Sequence, residues 1–263
     1  MKSNQIFFLL FGAILLACSP PQPKTEETKN NEQTAITDIN EPAIGFNIEE
    51  SDPTAIFLAD KVMTAMGGRK AWDDIAYIRW EIPNQRTLSW DKKNNKVRID
   101  TPAQNDIYLL NLNDGSGKVK KNGKVIESSD SLAKYLSKGH EIWFKDSYDL
   151  LMPYMLKENG VTLYYLGEDT TANGRDSQKL QLTFDKQLSS SPPMYEIWID
   201  AEDGRITQTD YYPSEVYTEP TTTNTWSNYK KHGNILLPES QSNTPTQEIE
   251  VLTSLPKNTF YEF

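Results

Sequence analysis

The chain has 263 residues and a formal net charge of −10, with 37 acidic side chains against 27 basic ones. An acidic balance with no basic run to override it argues against nucleic acid as a partner, and against charge-driven binding to anionic headgroups. One cysteine in the whole chain forbids an intramolecular disulfide, while six Trp and thirteen Tyr favour strands or a ligand-facing surface.

At the N-terminus, Lys2 precedes an apolar run from Ile6 to Leu16. That run is short for a bilayer span and reads as a processed signal segment, residues 1–17. It ends in Leu15-Leu16-Ala17-Cys18, followed by Ser19, Pro20, Pro21 and Pro23, which do not continue a helix. The pattern resembles the lipobox of bacterial lipoproteins, although Leu16 is a less usual residue between Leu15 and Ala17. The resemblance implies cleavage before Cys18 and acylation of its thiol, palmitate included, with three chains on the mature protein. Each buried CH₂ contributes roughly 0.8 kcal/mol, so three chains give lasting membrane attachment. By the same resemblance, Ser19 favours the outer membrane, on its periplasmic face or at the surface, and Glu26-Glu27 hint at surface export. The competing reading is a secretory signal with an incidental cysteine.

Residues 18–50 are rich in Pro, Thr, Glu, Asn and Lys and lack apolar periodicity. Such a segment cannot offset its chain entropy by burial and is predicted to be a disordered tether. A single domain over 51–263 is expected to follow. Asp52 and Pro53 suit an N-cap and first helical position; Ala55, Leu58, Ala59, Val62 and Met66 share a helical face, and Gly67-Gly68 form a stop. A short helical turn is expected around Ala71-Trp72.

Period-2 alternation then predicts strands. Ile78, Trp80 and Ile82 alternate with Tyr77, Arg79 and Glu81, and Leu88 and Trp90 with Thr87 and Ser89; Val97 and Ile99 follow, then the apolar stretch from Asp106 to Leu112. Asn122-Gly123 between Val119 and Val125 is a hairpin signal. Two helical pieces are expected next, one carrying Leu132, Tyr135 and Leu136 and broken at Gly139, the other running from about Glu141 to Met152 and ended by Pro153. Strands resume with Val161, Leu163 and Tyr165, with Leu180, Leu182 and Phe184, and with Tyr195, Ile197 and Ile199. A turn at Glu202-Asp203-Gly204 leads to Ile206 and Gln208. Trp226 and Tyr229 precede a turn at His232-Gly233-Asn234, and Ile249 and Val251 make a last strand. The first half reads as an antiparallel meander with one solvated face, and the whole order predicts an α+β fold with a large antiparallel sheet.

Catalytic chemistry has no visible motif. His140 and His232 are far apart in sequence and each adjoins a glycine, so both are expected in solvated turns, with no metal site and no nucleophile–base pair. Asp200-Ala201-Glu202-Asp203-Gly204 echoes a calcium loop but lacks the distal Glu and the alternating oxygen ligands. Gly115-Ser116-Gly117-Lys118 lacks the spacing of a phosphate loop. The expectation is a non-enzyme without cofactors.

Four stretches carry a wider resemblance. They are Met66-Gly67-Gly68-Arg69-Lys70-Ala71-Trp72, the run from Lys145 through Tyr154, Gly160-Val161-Thr162-Leu163, and Trp226-Ser227-Asn228-Tyr229 leading to His232–Pro238. They resemble a group of Bacteroidota lipoproteins similar in layout to the LolA/LolB-like lipoprotein carriers. The resemblance implies an incomplete, half-barrel antiparallel sheet covered by an N-terminal helix and a mid-chain helical insert, with an apolar lining. A lipid anchor departs from a freely shuttling carrier and points to a tethered acceptor, sensor or binder. On this reading Trp80, Trp90, Tyr108, Tyr165, Trp198 and Trp226 are candidate ligand-binding residues for a lipid or acyl group. Two alternatives stand beside it: a structural or protein-interaction lipoprotein, and a hydrolase of envelope polymers.

Overall fold

The computed structural model describes residues 39–171, 173–186, 192–241 and 248–263. Cys18, the signal segment and the tether up to residue 38 lie outside the described residues.

The described chain runs in the order α1 (Pro53–Ala65), α2 (Arg69–Asp73), β1 (Tyr77–Ile82), β2 (Arg86–Asp91), β3 (Lys96–Thr101), β4 (Asp106–Asn111), β5 (Gly117–Lys121), β6 (Lys124–Val125), α3 (Ser129–Met155), β7 (Val161–Thr170), β8 (Asp176–Phe184), β9 (Met194–Asp200), β10 (Ile206–Tyr212), β11 (Thr222–His232), β12 (Ile235–Gln241) and β13 (Glu248–Leu252). The α+β class, the antiparallel pairing and the absence of a closed barrel are as expected. The strands are divided between two antiparallel sheets, ordered β13-β1-β2-β3-β4-β5-β6 and β12-β11-β10-β9-β8-β7. His232 Nδ1 meets the Ile249 carbonyl at 3.1 Å, linking β11 to β13 where the sheets approach.

Alternation explains the strands. In β1, Ile78, Trp80 and Ile82 are buried, while Arg79 and Glu81 are exposed. In β9, Tyr195, Ile197 and Ile199 enter the core. Asn122 and Gly123 both have positive φ, 49° and 76°, as a two-residue type I′ hairpin turn requires.

The first helix begins and ends as its sequence suggests. Asp52 is extended at the N-cap and Pro53 starts the helix. The Asp52 carboxylate does not cap it, however; Oδ2 accepts the Tyr165 N–H at 2.8 Å and so fastens the start of α1 to β7. At Gly67, φ is +113° and a Cβ would lie 2.4 Å from the Asn234 carbonyl oxygen. Glycine there lets the end of α1 touch the β11–β12 turn.

The insert differs from expectation. One continuous helix of 27 residues replaces two pieces, with Gly139 and Pro153 both inside it. A Cβ on Gly139 would stand 2.9 Å from Tyr108 Cδ1 and 3.0 Å from Leu110 Cδ2, so the glycine serves close helix–strand approach rather than termination. Pro153 lies in the final turn, where packing on both sides holds the helix to Met155. Described residues before the expected boundary near residue 50 are also packed against the domain. Phe46 is buried, and Ala43 N–H donates to Lys157 O, Asn47 N–H to Val161 O and Asp52 N–H to Leu163 O. Backbone pairing to one edge compensates there for the scarcity of apolar side chains.

Helix α3 is pinned by a two-point ion pair. Arg86 donates from Nε to Asp146 Oδ2 at 2.5 Å and from Nη2 to Oδ1 at 2.8 Å. The Asp146 side chain is 2% exposed, against 22% for Arg86. This hydrogen-bonded carboxylate raises the Arg86 pKa above its ordinary value. Removing one partner of such a pair strands a buried charge. Asp146→Ala is therefore expected to lose about 3 kcal/mol of stability, read as a lower urea midpoint. A loss under about 0.5 kcal/mol, the scale of a surface pair, would show that the pair does not hold α3.

Candidate functional site

Helix α3 lies with aromatic side chains on two sides. Toward the seven-stranded sheet, the Trp143 ring centroid is 5.8 Å from Trp80 and 5.1 Å from Trp90. Toward the six-stranded sheet, Tyr148 is 5.1 Å from Phe184 and 5.8 Å from Tyr195, and Phe144 is 5.0 Å from Phe184. The first cluster continues through Trp72, 5.9 Å from Trp90, to Tyr154, stacked on Trp72 at 4.4 Å. Such pairs contribute about 0.5–1.5 kcal/mol each beyond area burial. The Tyr154 hydroxyl lies 2.7 Å from Met66 O and 2.8 Å from Leu236 O, sharing its proton between them, so the seam is tied at this end to α1 and β12. Burial drives the Tyr154 pKa upward.

The seam contains unmatched polar atoms. Among the described residues, Trp80 Nε1, Trp90 Nε1 and His140 Nε2 are buried and meet no hydrogen-bond partner, and the Tyr195 hydroxyl is in the same condition on the other side of α3. His140 is one turn before Trp143 on α3; it is a half-buried helical residue and not a solvated turn histidine. Trp90 is only partly buried, although its Nε1 is enclosed. An unpaired buried donor costs about 1–3 kcal/mol, so these groups favour an acceptor brought between helix and sheet.

The six candidate residues do not form one lining. Trp80 and Trp90 share the seam. Tyr108 is in the same core, beneath Gly139. Tyr165 is part-buried, with its hydroxyl donating to Gln178 Oε1 at 2.5 Å. Trp226 is a core residue whose Nε1 donates to Thr209 Oγ1 at 3.0 Å. Trp198 is on the opposite face of its sheet, where its Nε1 donates to Asp169 Oδ2 at 3.0 Å and Lys179 Nζ stands 4.3 Å over its ring. Trp72, Trp143 and Tyr154 complete the seam and are not among the candidates, because strand alternation gathers only strand residues.

Other titratable groups are engaged structurally. His232 Nε2 is 3.7 Å from Glu239 Oε1, and burial lowers the His232 pKa, so it too departs from a solvated turn. Asp200 Oδ1 accepts the Glu202 and Asp203 N–H groups at 2.9 Å, and Arg175 Nη2 reaches Oδ2 at 2.5 Å, so the would-be calcium loop is a hairpin turn. Among the described residues no group of three or more His, Cys, Asp or Glu is placed to hold a metal. Among the same residues no helix is long and apolar enough to cross a membrane.

No family model matches the chain, and no curated protein matches it. Among solved structures it is similar to a domain from Vibrio parahaemolyticus named for outer membrane lipoprotein sorting, at 12% identity and TM-score 0.42, covering 79% of this chain and 96% of that one. It is similar also to a DUF1329 family protein from Desulfovibrio piger, at 13% identity and TM-score 0.39, covering 80% of this chain and 98% of that one. A third likeness is to MucB, at 15% identity and TM-score 0.25, covering 72% of this chain and 66% of that one. At such identities none of these likenesses bears on ligand or activity.

Lys92 offers a probe of the seam. Its Nζ donates to Trp72 O at 2.7 Å and lies 3.9 Å over the Trp72 ring and 5.9 Å from the Trp90 ring. Burial lowers its pKa from 10.5 to about 8. Between those values the unfolded chain binds a proton that the folded chain does not, so this group makes stability rise with pH. Urea unfolding at pH 8 and pH 10 is expected to show that rise in the wild type, and a smaller one in Lys92→Met. An equal rise in both proteins would remove Lys92 as its source.

Proposed function

We propose that this protein is an envelope lipoprotein, anchored through acylated Cys18, that binds an apolar ligand carrying a hydrogen-bond acceptor in the seam between α3 and the seven-stranded sheet. The observation that carries the reading is the pair of unmatched indole donors, Trp80 Nε1 and Trp90 Nε1, within a wall of aromatic rings. A fatty acid fits that chemistry: its chain takes the aromatic surface and its carboxyl oxygens take the donors. Ring faces provide large contact area with little rotamer entropy to lose.

Entry requires the first half of α3 to move. That half presents Leu132, Tyr135 and Leu136 to β4 and β5 but is otherwise exposed, whereas the second half is largely buried. The residue candidates narrow accordingly to Trp80 and Trp90, with Tyr108 beneath the mobile half; Tyr165, Trp198 and Trp226 have partners of their own. No catalytic step is part of this reading. The motif resemblance to Bacteroidota lipoproteins, and the outer membrane as the site of anchoring, belong to it as well.

One observation favours a second reading. The space between the sheets is filled by side chains of the core, many of them fully buried. A filled interior suits a structural or protein-interaction lipoprotein. Palmitate titrated into a chain beginning at Ser19 separates the two. The binder reading expects saturable change in tryptophan fluorescence, with affinity about tenfold lower in Trp90→Ala, or about 1.4 kcal/mol. Absence of saturable change across palmitate, lysophospholipid and lipopeptide would leave the interaction reading.

The anchor has its own test. Cells expressing the wild type are expected to incorporate labelled palmitate into the protein, and cells expressing Cys18→Ala are expected not to. Retained label in the mutant, together with normal cleavage, would place the modification elsewhere.

A further inference from the structure

The outer face of β3, β4 and β5 gathers positive charge on an acidic protein. Register pairs Lys96 with Asn111, Arg98 with Leu109, Leu109 with Lys118, and Ile107 with Lys120. Strand alternation therefore puts Lys96, Arg98, Lys118 and Lys120 on one face, opposite to Val97, Ile99 and Val119, which are fully buried. Arg98 is paired with Asp100, at 2.8 Å. Among the described residues, Lys96, Lys118 and Lys120 form no ion pair. Asp114, in the β4–β5 turn, faces Lys96 but is held by hydrogen bonds from Ser116.

These cations are covered by the last residues of the chain. Arg98 Nη1 donates to the carbonyls of Thr259 and Glu262, at 3.2 and 2.8 Å, and Lys118 Nζ donates to that of Tyr261, at 3.2 Å. Lys96 Nζ is 5.0 Å from the Tyr261 ring centroid, and Lys120 Nζ is 4.9 Å from that of Phe263. Every one of these partners is a neutral carbonyl or a ring. A hydrogen bond from an ionised donor to a carbonyl is already about twice as strong as a neutral one; an anionic acceptor adds the attraction of opposite charges, which a carbonyl lacks, and exposed cation–π contacts are worth about 0.5–1 kcal/mol. Beneath Tyr261 opens a groove of about 240 Å³, lined by Lys96, Lys118, Asn111, Ser116 and Phe260 among others. Phe260 is buried and stacks on Tyr77 at 6.3 Å, so it anchors the segment, while Tyr261 and Glu262, exposed beyond it, are held by the cations and by turn hydrogen bonds of their N–H groups to Asn258 O at 3.0 Å.

We propose that this groove is a second binding site, for a phosphate group, with residues 261–263 acting as a strap that occupies the cations until phosphate replaces it. A phosphate between Lys96 and Lys118 meets both ammonium groups with opposite charge, where the carbonyl contact offers only a dipole, and lifting the strap leaves Phe260 seated. The site is independent of the seam between α3 and the sheet. The phosphate source is either a free phosphate or the headgroup of an anionic phospholipid.

The test uses the full chain in neutral maltoside micelles. Binding of inorganic phosphate is followed by phosphorus NMR, and binding of phosphatidylglycerol by doping the micelles with it, with phosphatidylcholine as control. Deletion of residues 261–263 is expected to tighten binding about tenfold, and Lys96→Gln/Lys118→Gln/Lys120→Gln to weaken it at least tenfold with the urea midpoint unchanged. Chymotryptic cleavage after Tyr261 should accelerate in the wild type as ligand saturates. Saturation by inorganic phosphate supports a soluble ligand; saturation by phosphatidylglycerol micelles alone supports a membrane headgroup. Binding of neither overturns the proposal, as does equal binding by the triple variant. Unchanged affinity after the deletion overturns the strap.

Discussion

The arrangement depends on α3 being held between two sheets that each need cover. Either inner sheet face is a surface of Ile, Leu, Val and aromatic side chains that cannot remain in water. A single helix supplies cover to both: Trp143 goes to one sheet, Phe144 and Tyr148 to the other. The Arg86–Asp146 pair fixes rotation about the helix axis, since a bidentate guanidinium–carboxylate contact tolerates little turning. Hydrophobic cover is non-directional; the ion pair and the Tyr154 hydroxyl give it direction.

That division explains why the two halves of α3 differ. From Trp143 onward the helix is largely buried and carries the ion pair and the tie to Met66 and Leu236. Before it, contact rests on a few apolar side chains and on Gly139 lying against Tyr108 and Leu110. Stability is accordingly unequal along one element, and local opening is drawn from the weaker part. The unmatched indole donors of Trp80 and Trp90, and the unmatched Nε2 of His140, lie where the secure half gives way to the weaker one.

The strands were readable because a sheet with one buried face writes a period of two into its sequence, as in Tyr77–Ile82. Turn chemistry was readable for the same local reason, as at Asn122-Gly123. The misreadings came from rules that describe an isolated element. Gly139 weakens a free helix, but here it is what allows α3 to approach β4. His140 beside it was therefore assigned to a turn that does not exist. The division into two sheets was not readable, because it depends on which edge β13 joins, and β13 is far from β1 in sequence. Three of the five seam aromatics are not legible for a related reason. Trp72, Trp143 and Tyr154 sit on helices, and only the fold brings them to Trp90 and Trp80.

Charge shows the same limit in another form. Net charge describes the far field of a molecule, and at −10 it predicts repulsion from any phosphate. Beyond about 8–10 Å at physiological salt that far field is largely screened, so a ligand at the surface responds to the nearest few groups. Lys96, Arg98, Lys118 and Lys120 come from three strands, and nothing in their sequence spacing makes a run that includes all four. Antiparallel register makes the patch, and alternation keeps it away from the apolar core. Residues 259–263 then meet that patch through carbonyls and ring faces, with the Glu262 carboxylate turned to Asn258. An acidic protein can in this way carry a local anion-binding surface without losing the net repulsion between molecules that keeps it dispersed.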